Sequence, residues 1–421
     1  MKKILLSFAI IGAFIIAFGI HGHAVWAGEA DVLIDVLEKK GVLTPEEAKD
    51  AAAEVKKAEA ETTPAELPKG LKGISIGGTY FLEYYHKDFD DDSIEDFGSF
   101  KVERAYLTIK KKFAPWFSSR LTADITYDSK RGDAGADASE VGWEFRLKYA
   151  YGKFDFKELG GSSVNLSSEV GLVHTFSDDY DSALWPYRCQ GKHYLDRHSL
   201  MSSADFGLNA KLELGSMDKD FKKKVSKKYA AKWGGIWLGA YNGSGYNKSE
   251  VNDNKVVEAG IYIRPLNMVK FLEGFRIGVH YMDGESNKLL SGGSPNQYAN
   301  WEITQFMASY QHEYFTIMGQ IYDGKGEDTA TDEADREGYN IAGFVRMPFH
   351  KPLRIFARYD IYDDDASAAN TDKDEKTTIF GVSYDLTKGV MPWIAMEQKD
   401  FEDDADGDDY DMIQVGLQIK F

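Results

Sequence analysis

The stretch Ile413-Gln414-Val415-Gly416-Leu417-Gln418-Ile419-Lys420-Phe421 ends the chain and decides its fold. Side chains alternate between the two faces of a strand. Ile413, Val415, Leu417, Ile419 and Phe421 therefore share one face, and Gln414, Gly416, Gln418 and Lys420 share the other. An apolar row, a polar row and a final aromatic residue suit the closing strand of a sheet that meets acyl chains on one side and lumen water on the other.

The same period of two runs from about residue 71 to the end and yields sixteen candidate strands. Ile74, Ile76, Tyr80, Leu82 and Tyr84 fall on one face of the first, and Leu121, Ala123, Ile125 and Tyr127 on one face of another. Phe145, Leu147, Tyr149 and Tyr151 read as a further outer row. Phe206 to Leu214 and Leu353 to Ile361 alternate in the same way. A soluble sandwich also alternates. Here the opposite faces carry ions on nearly every strand, and a dry core cannot bury so many.

Connections alternate in length. Residues 112–116, 158–162, 312–313, 347–352 and 387–389 are short, with 215–228 and 265–274 as longer exceptions on that side. Residues 87–98, 129–140, 175–201, 242–255, 283–298, 323–337, 362–376 and 401–410 are long. Long loops at one end and short turns at the other are expected of an outer-membrane barrel, and an even strand number puts both chain ends on the short-turn, periplasmic side. Tyr84, Tyr85, Trp116, Phe117, Tyr127, Trp393 and Phe401 lie near strand ends and read as interfacial girdles. The expected fold class is all-β: a sixteen-stranded antiparallel transmembrane barrel over residues 70–421, preceded by a short helical segment.

The N-terminus fits export. Lys2 and Lys3 precede an apolar run from Ile4 to Ile20, and Val25-Trp26-Ala27 offers a cleavage site. Residues 1–27 read as a cleaved signal peptide. Residues 28–69 read as a periplasmic helical segment and linker. Leu33, Val36 and Leu37 form an apolar stripe, and Thr44-Pro45-Glu46-Glu47 carries a capping box with Pro at the first helical position. No later stretch approaches the roughly 18 apolar residues of a membrane helix.

The single cysteine, Cys189, excludes a disulfide framework, haem attachment and a Cys-rich metal site. Abundant aromatics and glycines with few prolines suit strands and tight turns. The formal net charge is −18. Residues 88–96, 323–337, 360–375 and 400–411 hold 28 acidic and 3 basic residues, so acidity sits in long connections and the remaining body is slightly basic. Nucleic-acid binding is not expected of such a chain.

Inward rows carry Arg104, Arg120, Arg146, Lys148, Arg264, Arg276, Arg346, Arg354 and Arg358, the candidate pore lining. The Arg fork suits phosphate or carboxylate, and several such groups around a lumen favour anions. Asp124, Glu144, Asp205, Glu213, Glu258, Asp385 and Glu397 also point inward, so mutual pairing and a mixed field is the competing reading. The longest connection, 175–201, holds Trp185, Tyr187, Arg188, Lys192, Tyr194, Asp196 and Arg197. Its rings are costly to leave in water, so an inward fold that narrows the pore is expected, against a cap over the mouth or a subunit contact. His174, His193 and His198 match no ligand spacing, and Glu402 to Gly407 departs from a calcium loop where Ile413 stands in place of the bidentate Glu. The acidic loops read as a solvated or lipopolysaccharide-bridging surface. No nucleophile elbow, P-loop or H-E-x-x-H occurs, and no cofactor or catalysis is expected.

The signal, the segment VLIDVLEKKGVLTPEEAKD, the strand pair FKVERAYLTIKKKFAPWFSSRLTADITYD and the terminal QVGLQIKF together resemble the phosphate-selective porin O and P family. The resemblance spans nearly the whole mature chain on motifs that are mostly architectural. It implies a sixteen-stranded barrel, often a homotrimer, for passive diffusion of small anions along an arginine ladder. Arg346, Arg354 and Arg358 look like ladder material, and the family's deeper lysines find no aligned counterpart. Two functions are therefore expected to compete: a porin for small hydrophilic solutes, preferring anions such as phosphate, and a plugged barrel that anchors a periplasmic partner.

Overall fold

In a computed structural model the chain divides into two units, residues 1–72 and 73–421. The structure describes residues 38, 44–47, 49–50, 69–128, 142–156, 163–289, 298–325, 335–364, 366, 374–402 and 408–421. The signal (1–27) and most of the 28–69 segment and linker lie outside the described residues. In the first unit the capping box is formed: the Thr44 amide donates to Glu47 Oε2 at 2.8 Å, and the Glu47 amide donates to Thr44 Oγ1 at 3.3 Å.

The second unit runs through β1 (Ile74–Phe89), β2 (Phe97–Ala114), β3 (Phe117–Asp128), β4 (Gly142–Asp155), β5 (Val164–His174), β6 (Ala204–Leu214), β7 (Gly234–Tyr241), β8 (Val256–Ile263) and β9 (Phe275–Asp283). A two-stranded ribbon follows, β10 (Glu285–Leu289) with β11 (Tyr298–Asn300). Then come β12 (Glu302–Gln311), β13 (Phe315–Lys325), β14 (Arg336–Met347), β15 (His350–Asp363), β16 (Asp374–Tyr384), β17 (Val390–Phe401) and β18 (Tyr410–Lys420). All but the ribbon form one closed antiparallel barrel of sixteen strands. The barrel closes where β18 pairs β1, from Thr79 opposite Lys420 to Phe89 opposite Tyr410. Phe421 extends the seam, exchanging two 3.1 Å backbone hydrogen bonds with Gly78. Closure leaves no strand edge, which is the condition for crossing hydrocarbon with strands.

The barrel is inverted relative to a soluble one. Its outer face exposes Ile76, Phe100, Phe145, Leu208, Phe306, Ile341 and Phe380, while Asp124, Gln305, Asp360, Thr377 and Gln414 are buried inside. Water does not tolerate an apolar belt of that extent, and lipid accommodates it.

Two details depart from the period-two reading. In β4 the register against β3 steps from Tyr149 opposite Thr122 to Leu147 opposite Ala123, which leaves Lys148 as a bulge residue. The extra residue reverses the alternation, so Tyr149 and Tyr151 turn into the lumen rather than joining Phe145 and Leu147 outside. Tyr85, Trp393 and Phe401 also face inward, on rows with Gln414, Glu397 and Glu375, and are not girdle residues. Trp116 and Tyr127 remain outside and exposed.

The connection after β5 does not cap the barrel. It enters it, as α1 (Phe176–Leu184) and α2 (Tyr194–Arg197) with an extended stretch between. Phe176, Tyr180, Trp185, Tyr187, Cys189 and Leu195 are all at most 2% exposed. All but Leu195 cluster with Phe344, Phe356, Ile379, Met391 and Trp393, an apolar strip of inner wall, and Leu195 joins a second cluster with Trp301, Ile303 and Tyr322. Tyr187 stacks on Phe356 with ring centroids 3.9 Å apart. The strip is set among inward polar residues such as Glu258, Gln320, Asn340, Asp360, Thr377 and Glu397, so the expectation of polar groups on nearly every inward face holds, and the loop meets both kinds of surface.

Asp181 lies inside this packed region and accepts a 2.6 Å hydrogen bond from Gln320 Nε2. Burial pushes its carboxyl up to about 6 from an ordinary 3.8. The folded chain thus binds this proton more tightly than the unfolded one. The contribution is fully present below about pH 4 and is lost as pH rises through about 6.

Two outcomes follow from this architecture. Leu208→Arg on the lipid face of β6 lowers stability by about 2–4 kcal/mol, read from denaturant unfolding in phospholipid vesicles, if the residue sits near mid-bilayer. Asp181→Asn abolishes a pH-dependent loss of about 3 kcal/mol that the parent shows between pH 4 and 8 in the same assay.

Candidate functional site

Inward side chains that water reaches are found on the wall of β2 to β4, away from the most deeply packed part of the loop. Following the inward rows, β2 presents Lys101, Arg104, Tyr106, Thr108 and Lys110, and β3 presents Arg120, Thr122 and Asp124. β4 adds Arg146, Lys148 and Lys153. The side chains of Lys101, Arg146 and Lys153 are 39%, 28% and 37% exposed, so water reaches them inside the barrel.

On this stretch of wall three donors converge on one oxygen. Arg104 Nη1 lies 3.4 Å from Asp124 Oδ2, Arg146 Nη2 lies 3.1 Å away, and the Tyr246 hydroxyl donates at 3.1 Å. Asp124 is fully buried, and its Oδ1 has no partner among the described residues. Arg188 extends from the loop into electrostatic reach of Arg104 and Tyr106, and Asp196 holds it at 2.7 Å. Lys148 Nζ donates to Ser203 Oγ at 2.6 Å and sits 5.4, 5.8 and 5.1 Å from the ring centres of Tyr106, Tyr149 and Tyr246.

Towards the short-turn end, the Arg120 guanidinium lies 4.4 Å from the centre of the Tyr149 ring, and its Nη1 is 3.1 Å from His174 Nε2. Lys153 pairs with Glu169 at 3.1 Å. Lys110 stands exposed below them. Arg346 and Arg354 face each other across β14 and β15, over the Phe344 ring; Arg354 is paired with Asp385, and Arg346 donates to the Glu313 carbonyl.

Three of the nine candidate lining residues are walled off from this passage. Arg264 is spent on the Glu273 and Tyr229 carbonyls at 2.7 and 2.9 Å, over the Phe221 ring of the 215–233 connection. Arg276 lies behind α1, bonded to Gln311 at 2.6 Å. Arg358 is clamped by Asp360 at 2.5 and 2.8 Å and donates to the Lys192 carbonyl at 2.6 Å. Each is buried and held by fixed partners: connection carbonyls for Arg264, the β12 residue Gln311 for Arg276, and the β15 residue Asp360 with the Lys192 carbonyl for Arg358.

The loop residues divide in the same way. Trp185, Tyr187 and Tyr194 are its anchors: the Tyr187 hydroxyl meets Ser383 Oγ at 2.9 Å, and that of Tyr194 donates to the Ile361 carbonyl at 2.8 Å. Arg197 is tied to Glu397 at 2.8 Å. Arg188, Lys192 and Asp196 form the polar edge, with Lys192 Nζ 3.3 Å from Asp196 Oδ1. At the head of α1, both Glu258 oxygens accept from the Phe176 amide at 3.0 and 3.1 Å, and Tyr241 and His280 complete that carboxylate. Burial opposes ionisation of Asp178, yet His193, Lys148 and Arg188 outweigh it and hold the carboxyl below its usual range. Asp179 is lowered too, because Lys228, His174 and Lys211 overcome its burial. Burial pushes the Cys189 thiol up to about 12, so it stays protonated and unreactive.

His174, His193 and His198 do not converge; they face Glu169, Asp178 and Glu375 separately. Among the described residues no cluster of three or more His, Cys, Asp or Glu side chains could hold a metal ion.

Sequence reasoning missed Tyr246, which reaches the site from the 242–255 loop, and Lys228 with Tyr229, which rise from the 215–233 connection to hold Asp179 at 3.2 and 2.9 Å. It also passed over Lys110, which the alternation from Arg104 places inward.

Residues 206–404 match the profile of the Gram-negative porin family. No curated protein matches the chain. OmpF of Salmonella typhi, solved with daunomycin, superposes with a TM-score of 0.55 at 11% identity over 83% of this chain and 97% of that one. OprB of Pseudomonas putida gives 0.54 at 11% over 83% and 94%. An anion-selective porin from Comamonas acidovorans gives 0.53 at 11% over 83% and 99%. At that identity the likeness is one of fold: a closed antiparallel barrel shared with solved Gram-negative porins.

Proposed function

We propose that this chain is an outer-membrane channel for passive diffusion of small hydrophilic solutes, with a preference for anions. The observation that carries the reading is the wetted arc of wall on β2 to β4. Lys101, Arg104, Lys110, Arg120, Arg146 and Lys153 line it, and Arg188 faces them from the loop edge. Asp124 lies among them, fully buried under its donors, while Lys101 pairs with Glu103 at 2.9 Å and Lys153 with Glu169 at 3.1 Å, and the cations still outnumber these partners. Fixed cations that remain hydrated attract small anions without trapping them, which is what conduction requires. Guanidinium forks suit phosphate and carboxylate alike, and the resemblance to phosphate-selective porins favours phosphate as one permeant species. Export by residues 1–27 and insertion in an outer membrane belong to the same reading. The anion-selective porin among the similar folds supports it by analogy of architecture.

The depth of loop burial favours a second reading, a barrel too full to conduct. Planar bilayers separate the two. Purified protein forms discrete conductance steps on the first reading, and in a KCl gradient its reversal potential takes the sign of chloride permeation. Arg104→Ala with Arg146→Ala lowers the anion-to-cation ratio by up to about thirtyfold per charge, since a unit charge at 4 Å in water shifts anion and cation by about 1 kcal/mol each in opposite directions. No conductance from correctly folded protein selects the plugged barrel, and a reversal potential of the opposite sign defeats the anion preference.

A further inference from the structure

The loop between β7 and β8 also enters the lumen. Asn242-Gly243-Ser244-Gly245-Tyr246 makes the turn, with φ of +93° at Gly243 and +71° at Gly245. Those conformations suit glycine, and they aim the following tyrosine down the wall instead of out to solvent. The turn is pinned where the Gly243 amide donates to Asp205 Oδ2 at 2.9 Å. From outside, the β10–β11 ribbon braces the same loop. Asn252 Nδ2 donates to the Ser286 carbonyl, Asn287 Nδ2 to the Ser249 carbonyl, and the Tyr298 hydroxyl to the Val251 carbonyl, each at 3.0 Å. A loop tied on both sides delivers its side chain to a fixed place.

That place is the Asp124 carboxylate. We propose that Tyr246 is a specificity-determining residue of the passage: its ring screens Asp124, so that Arg104 and Arg146 face permeating ions as net cations. Three facts bear on this. Tyr246 shares Oδ2 with both arginines. Its ring lies 5.8 Å from the Arg146 guanidinium and 5.1 Å from Lys148 Nζ, and so flanks the ion-paired carboxylate among the cations around it. Asp124 is 0% exposed, and the Tyr246 hydroxyl is the one neutral donor on its Oδ2 among the described residues. An anionic group on the wall of a pore attracts cations as effectively as an arginine attracts anions. Covered, it only orients the two guanidinium groups; uncovered, it offsets them.

The inference rests on the channel reading and is tested in the same bilayers. Four proteins are compared: the parent, Tyr246→Ala, Asp124→Asn and the double variant, with Tyr246→Phe as a control that keeps the ring. Heat-modifiable migration in detergent confirms that each is folded. Tyr246→Ala raises conductance and lowers the anion-to-cation permeability ratio about threefold or more. Asp124→Asn alone raises the ratio, but by a smaller factor than it does in the Tyr246→Ala background, because in the parent no cation can make contact with the covered carboxylate. Asp124→Asn in the Tyr246→Ala background restores the ratio to the parent value or above. Tyr246→Phe stays near the parent. The proposal is overturned if Tyr246→Ala leaves the ratio unchanged, if the double variant is not restored, or if Tyr246→Phe falls as far as Tyr246→Ala. A conducting parent that prefers cations defeats the anion reading but leaves this non-additivity readable; a non-conducting parent overturns both.

Discussion

A closed sheet of sixteen strands encloses more space than its own inward side chains can fill. That constraint governs everything inside this protein. The lumen must hold either water throughout or a piece of the chain. Here residues 175–201 enter and take the side formed by β8 to β18. Entry is possible because the inner wall there is built for it: Phe344, Phe356, Ile379, Met391 and Trp393 offer an apolar seat, and Glu258, Gln311, Gln320 and Glu397 offer polar anchors for loop groups.

The inner face of β2 to β4 carries cations that water reaches, and wall carboxylates pair with several of them: Asp124 with Arg104 and Arg146, Glu103 with Lys101, and Glu169 with Lys153. The long loops carry the opposite sign, with acidic runs in 88–96, 323–337, 360–375 and 400–411. Screening limits that repulsion to about 10 Å in ordinary salt, so acidic connections are compatible with the anion preference proposed for the lumen. The wall charges are held in a defined row by strand register.

Much of the fold was legible because period two survives at almost every strand. The terminal QVGLQIKF, the long and short connections and the outer rows of β6 and β15 all read correctly from residue types alone. The failures share one cause, which is that local pattern does not encode what lies opposite. The bulge at Lys148 looks in sequence like one more alternating position, so Tyr149 and Tyr151 were placed outside. Trp393 reads as a girdle ring until its neighbour across the lumen is known to be a loop. Arg264, Arg276 and Arg358 have the right face but the wrong company, being covered by a turn or by the loop. Tyr246 follows a plain glycine turn whose direction depends on Asp205, a strand away in space. The large loop was the exception: its crowded rings signalled burial somewhere, and the lumen is where they are buried.

The account depends most on the two faces of β2, the strand that lines the wet arc. A cysteine scan from Arg104 to Lys110, with Cys189 replaced by Ala and the protein in lipid vesicles, tests it directly. A charged, membrane-impermeant thiol reagent is expected to label positions 104, 106, 108 and 110, and a lipid-soluble reagent positions 105, 107 and 109. Equal labelling by the charged reagent along the whole strand, or the reverse alternation, would contradict a water-filled lumen bounded by a lipid-facing wall.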